Sequence, residues 1–202
     1  YPLVPEFVWR LGYAAGVVLK QSHADPRIVI GRDTRESGQT LRDVLVDGLR
    51  RSGTDVVDVG VMTTPGVCYL MMAFDACAGV VVSASHNPPD QNGIKFFGAD
   101  GLKLTEEEER EIERVIGEVS AIGGTETTRR GKMIDGKDPG ESYIESILNT
   151  FPGLRLDSLT IVVDCANGSA SMLAPACFRR LGARVVAVHA SPTGLNINAQ
   201  SG

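Results

Sequence analysis

The sequence has no long apolar run, no excess of basic residues and no C-x-x-C pair. No apolar stretch approaches the ~18 residues of a membrane-spanning helix, and the first residues resemble neither a signal peptide nor a basic anchor, so we expect a cytoplasmic protein without a membrane partner. Acidic residues outnumber basic ones by 25 to 20 and the basic residues are scattered, which argues against nucleic acid as a partner. The four cysteines lie in apolar or tight-turn surroundings, which favours reduced core thiols over disulfides or a zinc site: Cys68, Cys77, Cys165 and Cys177.

Enough apolar residues are present for a packed core. The 202 residues are 43% hydrophobic and 22% charged, which excludes a disordered chain and a coiled coil. Between residues 27 and 83, short apolar runs alternate with helical periodicity, as in consecutive βαβ units. Such units place helices on both faces of parallel strands. We therefore predict the α/β class, with a three-layer α/β/α domain built on a mostly parallel sheet.

Helix-start signals extend this pattern into the second half of the chain. A strand-like stretch at residues 94–97 is followed by Thr105 and Glu108, whose spacing is that of a capping box. Asp138, with Pro139 at the first helical position, predicts the start of another helix.

A domain boundary is predicted where hydrophobic periodicity fades, between residues 120 and 140. We assign residues 1–134 to a first domain and residues 135–202 to part of a second, similar one. In the second, strands are predicted at residues 159–163 and 184–188 with a helix between them. A lone element of this size buries little core, so we expect it to belong to a larger domain.

Three polar, glycine-rich or proline-containing segments follow the predicted strands. They are residues 31–38 (GRDTRESG), 62–66 (MTTPG) and 83–93 (SASHNPPDQNG). Open α/β sheets bind ligands at the carboxyl ends of their strands. If the strands are parallel, the three segments meet along one rim, where a functional site is expected.

The third segment has the chemistry of a phosphate-handling loop. Its prolines stiffen the turn, and Asn87 and the backbone amides offer donors for oxyanions. Lys95 can reach back as a point charge, and Arg32 or Arg35 from the first segment could supply a bidentate fork. A positively charged pocket that binds phosphate is therefore favoured slightly over an ordinary surface turn.

Two alternatives accompany this interpretation. Ser85 beside His86 could suggest a nucleophile with its base, but adjacent residues in an extended turn project differently and no G-x-S-x-G elbow is present, so a serine hydrolase is disfavoured. Arg32, Asp33 and Arg35 could instead form solvated ion pairs that orient the first loop.

The loop motifs resemble those of a known enzyme family. S-A-S-H-N-P at residues 83–88, followed by N-G-I-K-F-F at 92–97, closely resembles the phosphoserine loop of the α-D-phosphohexomutases, and residues 31–38 match the family's upstream motif. The segments at 162–168 and 194–198 are most similar to those of bacterial members that act on glucosamine phosphates. The resemblance covers nearly the whole chain.

This resemblance implies an isomerase, an intramolecular phosphotransferase that interconverts glucosamine 6-phosphate and glucosamine 1-phosphate through a bisphosphate on the route to peptidoglycan precursors. The catalytic residues it implies are Ser85, which would carry the phosphoryl group, Lys95 beside it, and His86, which would assist proton transfer. Arg32, Arg35 and Asn87 are the candidates for binding substrate or phosphate.

The implied cofactor is Mg²⁺, with phosphorylated Ser85 as one ligand and aspartates expected beyond residue 202 as the others. The implied partners are the phosphorylated amino sugar, the sugar bisphosphate and domains 3 and 4 of the same protein; a homodimer is left open. The chain would then be an N-terminal fragment that is inactive alone. Two alternatives stay open: phosphoglucomutase or phosphomannomutase specificity, and a catalytically incomplete phosphate-binding module.

Overall fold

A computed structural model describes residues 3–119 and 129–201, with residues 120–128 of the predicted boundary region lying outside the described residues. Short connections alternate helices and strands along most of the chain. The helices are α1 Pro5–Ser22, α2 Glu36–Arg51, α3 Thr64–Ala73, α4 Glu106–Glu118, α5 Pro139–Thr150 and α6 Leu173–Arg180. The strands are β1 Arg27–Arg32, β2 Asp55–Val61, β3 Ala78–Val82, β4 Ile94–Gly98, β5 Met133–Asp135, β6 Thr160–Asp164 and β7 Arg184–Val188.

The first five strands form one sheet in the order β4-β3-β1-β2-β5. β1 pairs in parallel with both β2 and β3, and β2 pairs in parallel with β5. Only β4, on the edge beside β3, runs antiparallel within this sheet. The central strands are continuous apolar runs because helices cover both of their faces. The prediction of a mostly parallel sheet is confirmed.

Alternating residues of β1 contribute to two separate cores, as the strand period of two requires. Ile28 and Ile30 are fully buried beneath α1, α2 and α4. Val29 is fully buried on the opposite face, where Val67 and Met71 of α3 pack against the sheet. The arrangement is the predicted three-layer α/β/α sandwich.

Helices α1 and α2 approach each other closely at glycines. A Cβ added at Gly48 of α2 would lie 2.8 Å from the backbone nitrogen of Tyr13, which is closer than real Cβ atoms come to such a neighbour. Trp9 of α1 donates from its indole nitrogen to Asp47 Oδ2 at 2.8 Å and stacks on Tyr13. The contact leaves no room for a side chain at Gly48.

A smaller unit follows, in which β6 and β7 form a parallel pair connected through α6. α5 packs against both α6 and α3, so the unit sits beside the first sheet. The capping box at Thr105 is present, whereas Asp138 precedes α5 without a side-chain cap bond. The boundary predicted after residue 134 falls within β5 and stays a prediction.

All four cysteines are free thiols, as expected, and Cys165 and Cys177 are buried. Burial raises the pKa of both thiols. Among the helices described, none combines the length and the apolar character that crossing a bilayer needs.

Candidate functional site

The candidate site lies where the topology of the sheet reverses. β1 is flanked by β2 and β3, and α2 and α3, which follow β1 and β2, pack on opposite faces of the sheet. Such a reversal opens a crevice at the carboxyl ends of the strands. The backbone nitrogen of Asp33 donates to Val82 O at 3.1 Å, and that of Met62 to Arg32 O at 3.0 Å, so the three predicted loops do meet along one rim.

Residues 83–93, which we call the serine loop, leave β3 and return to β4. The loop is closed at its base by Ser83 N donating to Gly93 O at 2.9 Å. A Cβ at Gly93 would lie 2.9 Å from Ser83 O, so the close approach requires glycine. Ser85 is exposed and has a left-handed backbone with φ of 55°, which is unfavourable for a residue other than glycine. Its hydroxyl makes no hydrogen bond with any described residue.

Ser85 lines a cavity of about 290 Å³. Lys95 lines the same cavity, in β4, where it pairs with Val81 of β3. Lys95 is exposed and makes no hydrogen bond or ion pair with the residues that the structure describes. The cavity therefore presents a hydroxyl and a cation to which no side chain among residues 3–119 and 129–201 is hydrogen-bonded.

The smaller unit forms the opposite wall of the cavity with Gly168, Ser169, Ala170, Ile197 and Asn198. It is attached to the first loop by two hydrogen bonds. Thr34 Oγ1 donates to Asn167 O at 2.6 Å, and Glu36 N donates to Gly194 O at 3.0 Å. The cavity thus lies between the two units.

Cys165 also lines this cavity. Burial, with a smaller contribution from the neighbouring Asp164 carboxylate, raises the pKa of its thiol. Because the thiolate is the reactive form of cysteine, Cys165 is a poor nucleophile near neutral pH.

Asp33 and Arg35 form a buried ion pair beneath the serine loop. They are 3% and 1% exposed, so the pair is not the solvated one considered above. Arg35 Nε donates to Asp33 Oδ2 at 2.9 Å, and the guanidinium also donates to the carbonyls of Ser85, Asn87 and Pro88. The guanidinium donors therefore hold the backbone of the serine loop, and Arg35 does not present a free guanidinium group to the cavity.

The other predicted site residues lie around the loop but outside the cavity wall. Arg32 is half-buried and donates to Asp33 O at 3.1 Å. Asn87 donates from its side-chain amide to Gln91 Oε1 at 2.8 Å. His86 is exposed and makes no hydrogen bond to Ser85 within the described part of the chain, so a serine–histidine nucleophile pair is absent there. Substrate binding by Arg32, Arg35 and Asn87 and proton transfer by His86 stay predictions.

Two residues that hold the serine loop were missed by sequence reasoning. Ser83 Oγ donates to Asp33 Oδ2 at 2.6 Å and accepts from Ser85 N at 3.2 Å, so it joins the ion pair to Ser85. Asn198 Nδ2 donates to the carbonyls of Ser85 and Asn87. Ser83 and Asn198 both lie inside motifs identified above, but nothing local indicates where their side chains point.

Comparison with known proteins finds similar sequences over nearly the whole chain. A curated phosphoglucosamine mutase from Alcanivorax borkumensis is 46% identical over 202 residues, which are all of this chain and 45% of the relative. One from Bacillus cereus is 45% identical over 97% of this chain and 44% of its own length. The chain thus spans less than half the length of these relatives.

The structural comparison gives the same family. A phosphoglucomutase/phosphomannomutase family protein from Burkholderia thailandensis superposes with a TM-score of 0.77 and 30% identity, covering 93% of this chain and 40% of that one. Residues 2–122 match the family described as phosphoglucomutase/phosphomannomutase, alpha/beta/alpha domain I. The chain belongs to the phosphoglucomutase/phosphomannomutase family, the α-D-phosphohexomutases.

Proposed function

We propose that this chain carries the phosphoserine site of an enzyme that interconverts glucosamine 6-phosphate and glucosamine 1-phosphate. The observation that carries the proposal is the placement of Ser85: an exposed hydroxyl at the carboxyl end of β3, directed into a cavity that it shares with Lys95. In this role Ser85 Oγ, once phosphorylated, transfers its phosphoryl group to a sugar hydroxyl. The bond from phosphorus to the serine oxygen breaks as a bond to the sugar oxygen forms. A base takes the proton of the sugar hydroxyl, and the serine oxygen leaves with the electron pair of the broken bond and is protonated to the hydroxyl.

The charges around Ser85 suit this chemistry. A phosphoserine carries about −1.5 to −2 charges near neutral pH, so transfer to an alcohol requires nearby positive charge. Lys95 supplies one uncommitted cation. Asp33, the acidic residue of the cavity wall, is bound to Arg35 and Ser83, which limits its repulsion of the phosphate.

Magnesium was expected from the family resemblance, with phosphorylated Ser85 as one ligand. Within residues 3–119 and 129–201, no three His, Cys, Asp or Glu side chains are grouped so that they could hold a metal ion. Asp33 is already engaged by Arg35 and Ser83. The described residues therefore do not form a magnesium site, and we assign no step of the transfer to a metal.

The choice of amino sugar rests on the relatives named phosphoglucosamine mutase, which match this chain at 45–46% identity. The second candidate is a glucose or mannose phosphate, because the matching family is described by phosphoglucomutase and phosphomannomutase. A third, the catalytically incomplete binding module, applies to the 202-residue chain by itself. Mutase turnover by that purified chain would reject it.

The test uses the full-length protein that contains this chain. Intact-mass measurement and phosphopeptide mapping are expected to find phosphate on Ser85, and Ser85→Ala is expected to abolish turnover while the melting temperature stays unchanged. Ser142→Ala, which removes a hydroxyl in α5 outside the cavity, is the matched control. Phosphate on another residue, with none on Ser85 after incubation with sugar bisphosphate, would reject the proposal. Assays with glucosamine, glucose and mannose phosphates then separate the candidate substrates.

A further inference from the structure

The carbonyl groups of Ser85 and Asn87 are each held by donors from both units of the structure. Arg35 Nη2 donates to them at 3.0 and 2.9 Å from the side of the first loop. Asn198 Nδ2 donates to the same two oxygens at 3.0 and 3.1 Å from the smaller unit. A carbonyl oxygen has two lone pairs, so both acceptors are fully used. The backbone from the Ser85–His86 peptide to the Asn87–Pro88 peptide is thereby clamped from opposite sides.

Other hydrogen bonds within the smaller unit hold Asn198 in place. Its backbone is left-handed, with φ of 60°, and its backbone nitrogen donates to Ala166 O at 2.8 Å. Asn167, which follows Ala166, is 5% exposed. Its side-chain Nδ2 donates to Asn196 O at 3.2 Å, and its Oδ1 accepts from Ser191 N at 3.1 Å. These bonds fix the position of Asn198 relative to the body of the smaller unit.

The smaller unit is in turn attached to the first loop through Thr34 and Glu36, as described above. Arg35 stands between these two attachment points and holds the serine loop from below. Displacement of the smaller unit would therefore withdraw the Asn198 amide while leaving the Arg35 donors in place. The two hydrogen bonds from Asn198 therefore depend on the attachment of the smaller unit to the first loop.

We propose that Asn198 is a positioning residue for phosphoryl transfer, which holds the left-handed backbone of Ser85 only while the smaller unit is attached to the first loop. This rests on the proposed role of Ser85 as the phosphoryl carrier. In-line transfer tolerates little error, since a misplacement of about 1 Å can lower a rate by about 10²-fold. Without the Asn198 half of the clamp, Ser85 is held by Arg35 alone, so it can leave its unfavourable backbone conformation more readily and carry its phosphoryl group out of line.

Two substitutions separate the amide contact from the backbone conformation. Asn198→Gly removes the donor and accepts the left-handed backbone without strain. Asn198→Asp keeps the shape of the side chain but faces the two carbonyls with a carboxylate oxygen. Gln200→Gly is the matched control, because Gln200 is also left-handed, with φ of 54°, and its side chain is exposed and makes no hydrogen bond with the serine loop.

The measurement is the single-turnover rate of phosphoryl transfer from the phosphorylated full-length protein to sugar phosphate, together with KM and hydrogen exchange of the amides in residues 85–93. We expect Asn198→Gly and Asn198→Asp to slow transfer by about 10- to 100-fold, with KM changed by less than about threefold, and to speed exchange in the serine loop. Gln200→Gly should match the wild type in all three. A purely structural role would lower the melting temperature without this split between rate and KM.

The outcomes distinguish this proposal from the proposed function. Phosphate on Ser85 of an active wild type, with both Asn198 variants transferring at the wild-type rate, would overturn the role of Asn198 and leave the function standing. A lowered melting temperature at an unchanged transfer rate would overturn it as well. An active wild type without phosphate on Ser85 would reject the function and this inference together.

Discussion

Replacement of Arg35 by methionine tests whether this arginine serves the loop or the substrate. Arg35→Met keeps an unbranched side chain that matches arginine as far as Nε, but it removes every donor of the guanidinium. The wild-type side chain is 0% exposed and bonds the Asp33 carboxylate and three carbonyls of the serine loop. We therefore expect the substitution to destabilise the protein, an effect that loss of a substrate contact alone would not produce.

The magnitude follows from what each former partner retains. Removal of one member of a buried ion pair costs about 3–5 kcal/mol. Asp33 keeps the Ser83 hydroxyl and the backbone nitrogen of residue 35, at 2.6 and 3.0 Å. Pro88 is exposed, so water can replace its lost donor, and the other two carbonyls keep Asn198. These remaining bonds place the loss at the lower end, about 3 kcal/mol.

Urea unfolding followed by the fluorescence of Trp9 measures this loss. Trp9 is the single tryptophan and is 5% exposed in the layer of α1 and α2, so its signal reports the unfolding of the first unit. Arg32→Met is the matched control, because Arg32 is half-buried and its guanidinium bonds one backbone carbonyl. A loss below about 1 kcal/mol for Arg35→Met, the value of an exposed ion pair, would refute the reasoning. A raised KM with unchanged stability would instead support the predicted substrate role.

Three further perturbations test other parts of the structure. Lys95→Ala should slow single-turnover phosphoryl transfer by about 10²-fold with little change in melting temperature, because Lys95 is exposed and unbonded. Hydrogen bonding to Arg114 lowers the pKa of Glu111 from 4.5 to about 2; the small stability difference between wild type and Glu111→Gln should therefore persist above pH 4.5 and vanish as the pH falls through about 2 in urea titrations. Gly48→Ala should lower the free energy of unfolding by about 1–3 kcal/mol, because its Cβ would meet the backbone of α1.

Each of these expectations has an opposing result. Lys95→Ala with a wild-type transfer rate and a lowered melting temperature would make Lys95 a structural residue. A stability difference for Glu111→Gln that grows as the pH falls would contradict the direction of the pKa shift. Gly117→Ala in α4 is the control for Gly48→Ala, since nothing lies within 4 Å of its added Cβ and alanine gains up to about 1 kcal/mol in a helix. Equal effects of the two substitutions would refute the close contact of α1 and α2.

The sequence predicted the fold well because the relevant signals are local. Strand and helix periods are read from neighbouring residues, and parallel βαβ connections leave few topologies to consider. The meeting of the three loops followed from that topology alone, and the contacts between Arg35 and the serine loop bear it out. The capping box at Thr105 was predictable for the same reason, since its partner Glu108 is three positions away.

The direction of the Arg35 side chain was not predictable in this way. Beside Asp33 in a polar loop, the arginine side chain is equally compatible with solvent, with a substrate or with the protein interior. The sequence predicted only the first two positions. Burial decided the outcome, because covering a guanidinium is tolerable only when nearly every donor finds an acceptor. The serine loop supplies those acceptors as backbone carbonyls, which carry no signature in the sequence.

The contact between Ser85 and Asn198 joins residues 113 positions apart. Chains emerge from the ribosome in order, and contacts that close long loops form slowly. The sheet from β1 to β5 needs nothing beyond Asp135, so it can assemble while the other half of the clamp is still being synthesised. A nascent chain therefore completes its first sheet well before it completes the backbone contacts that hold Ser85.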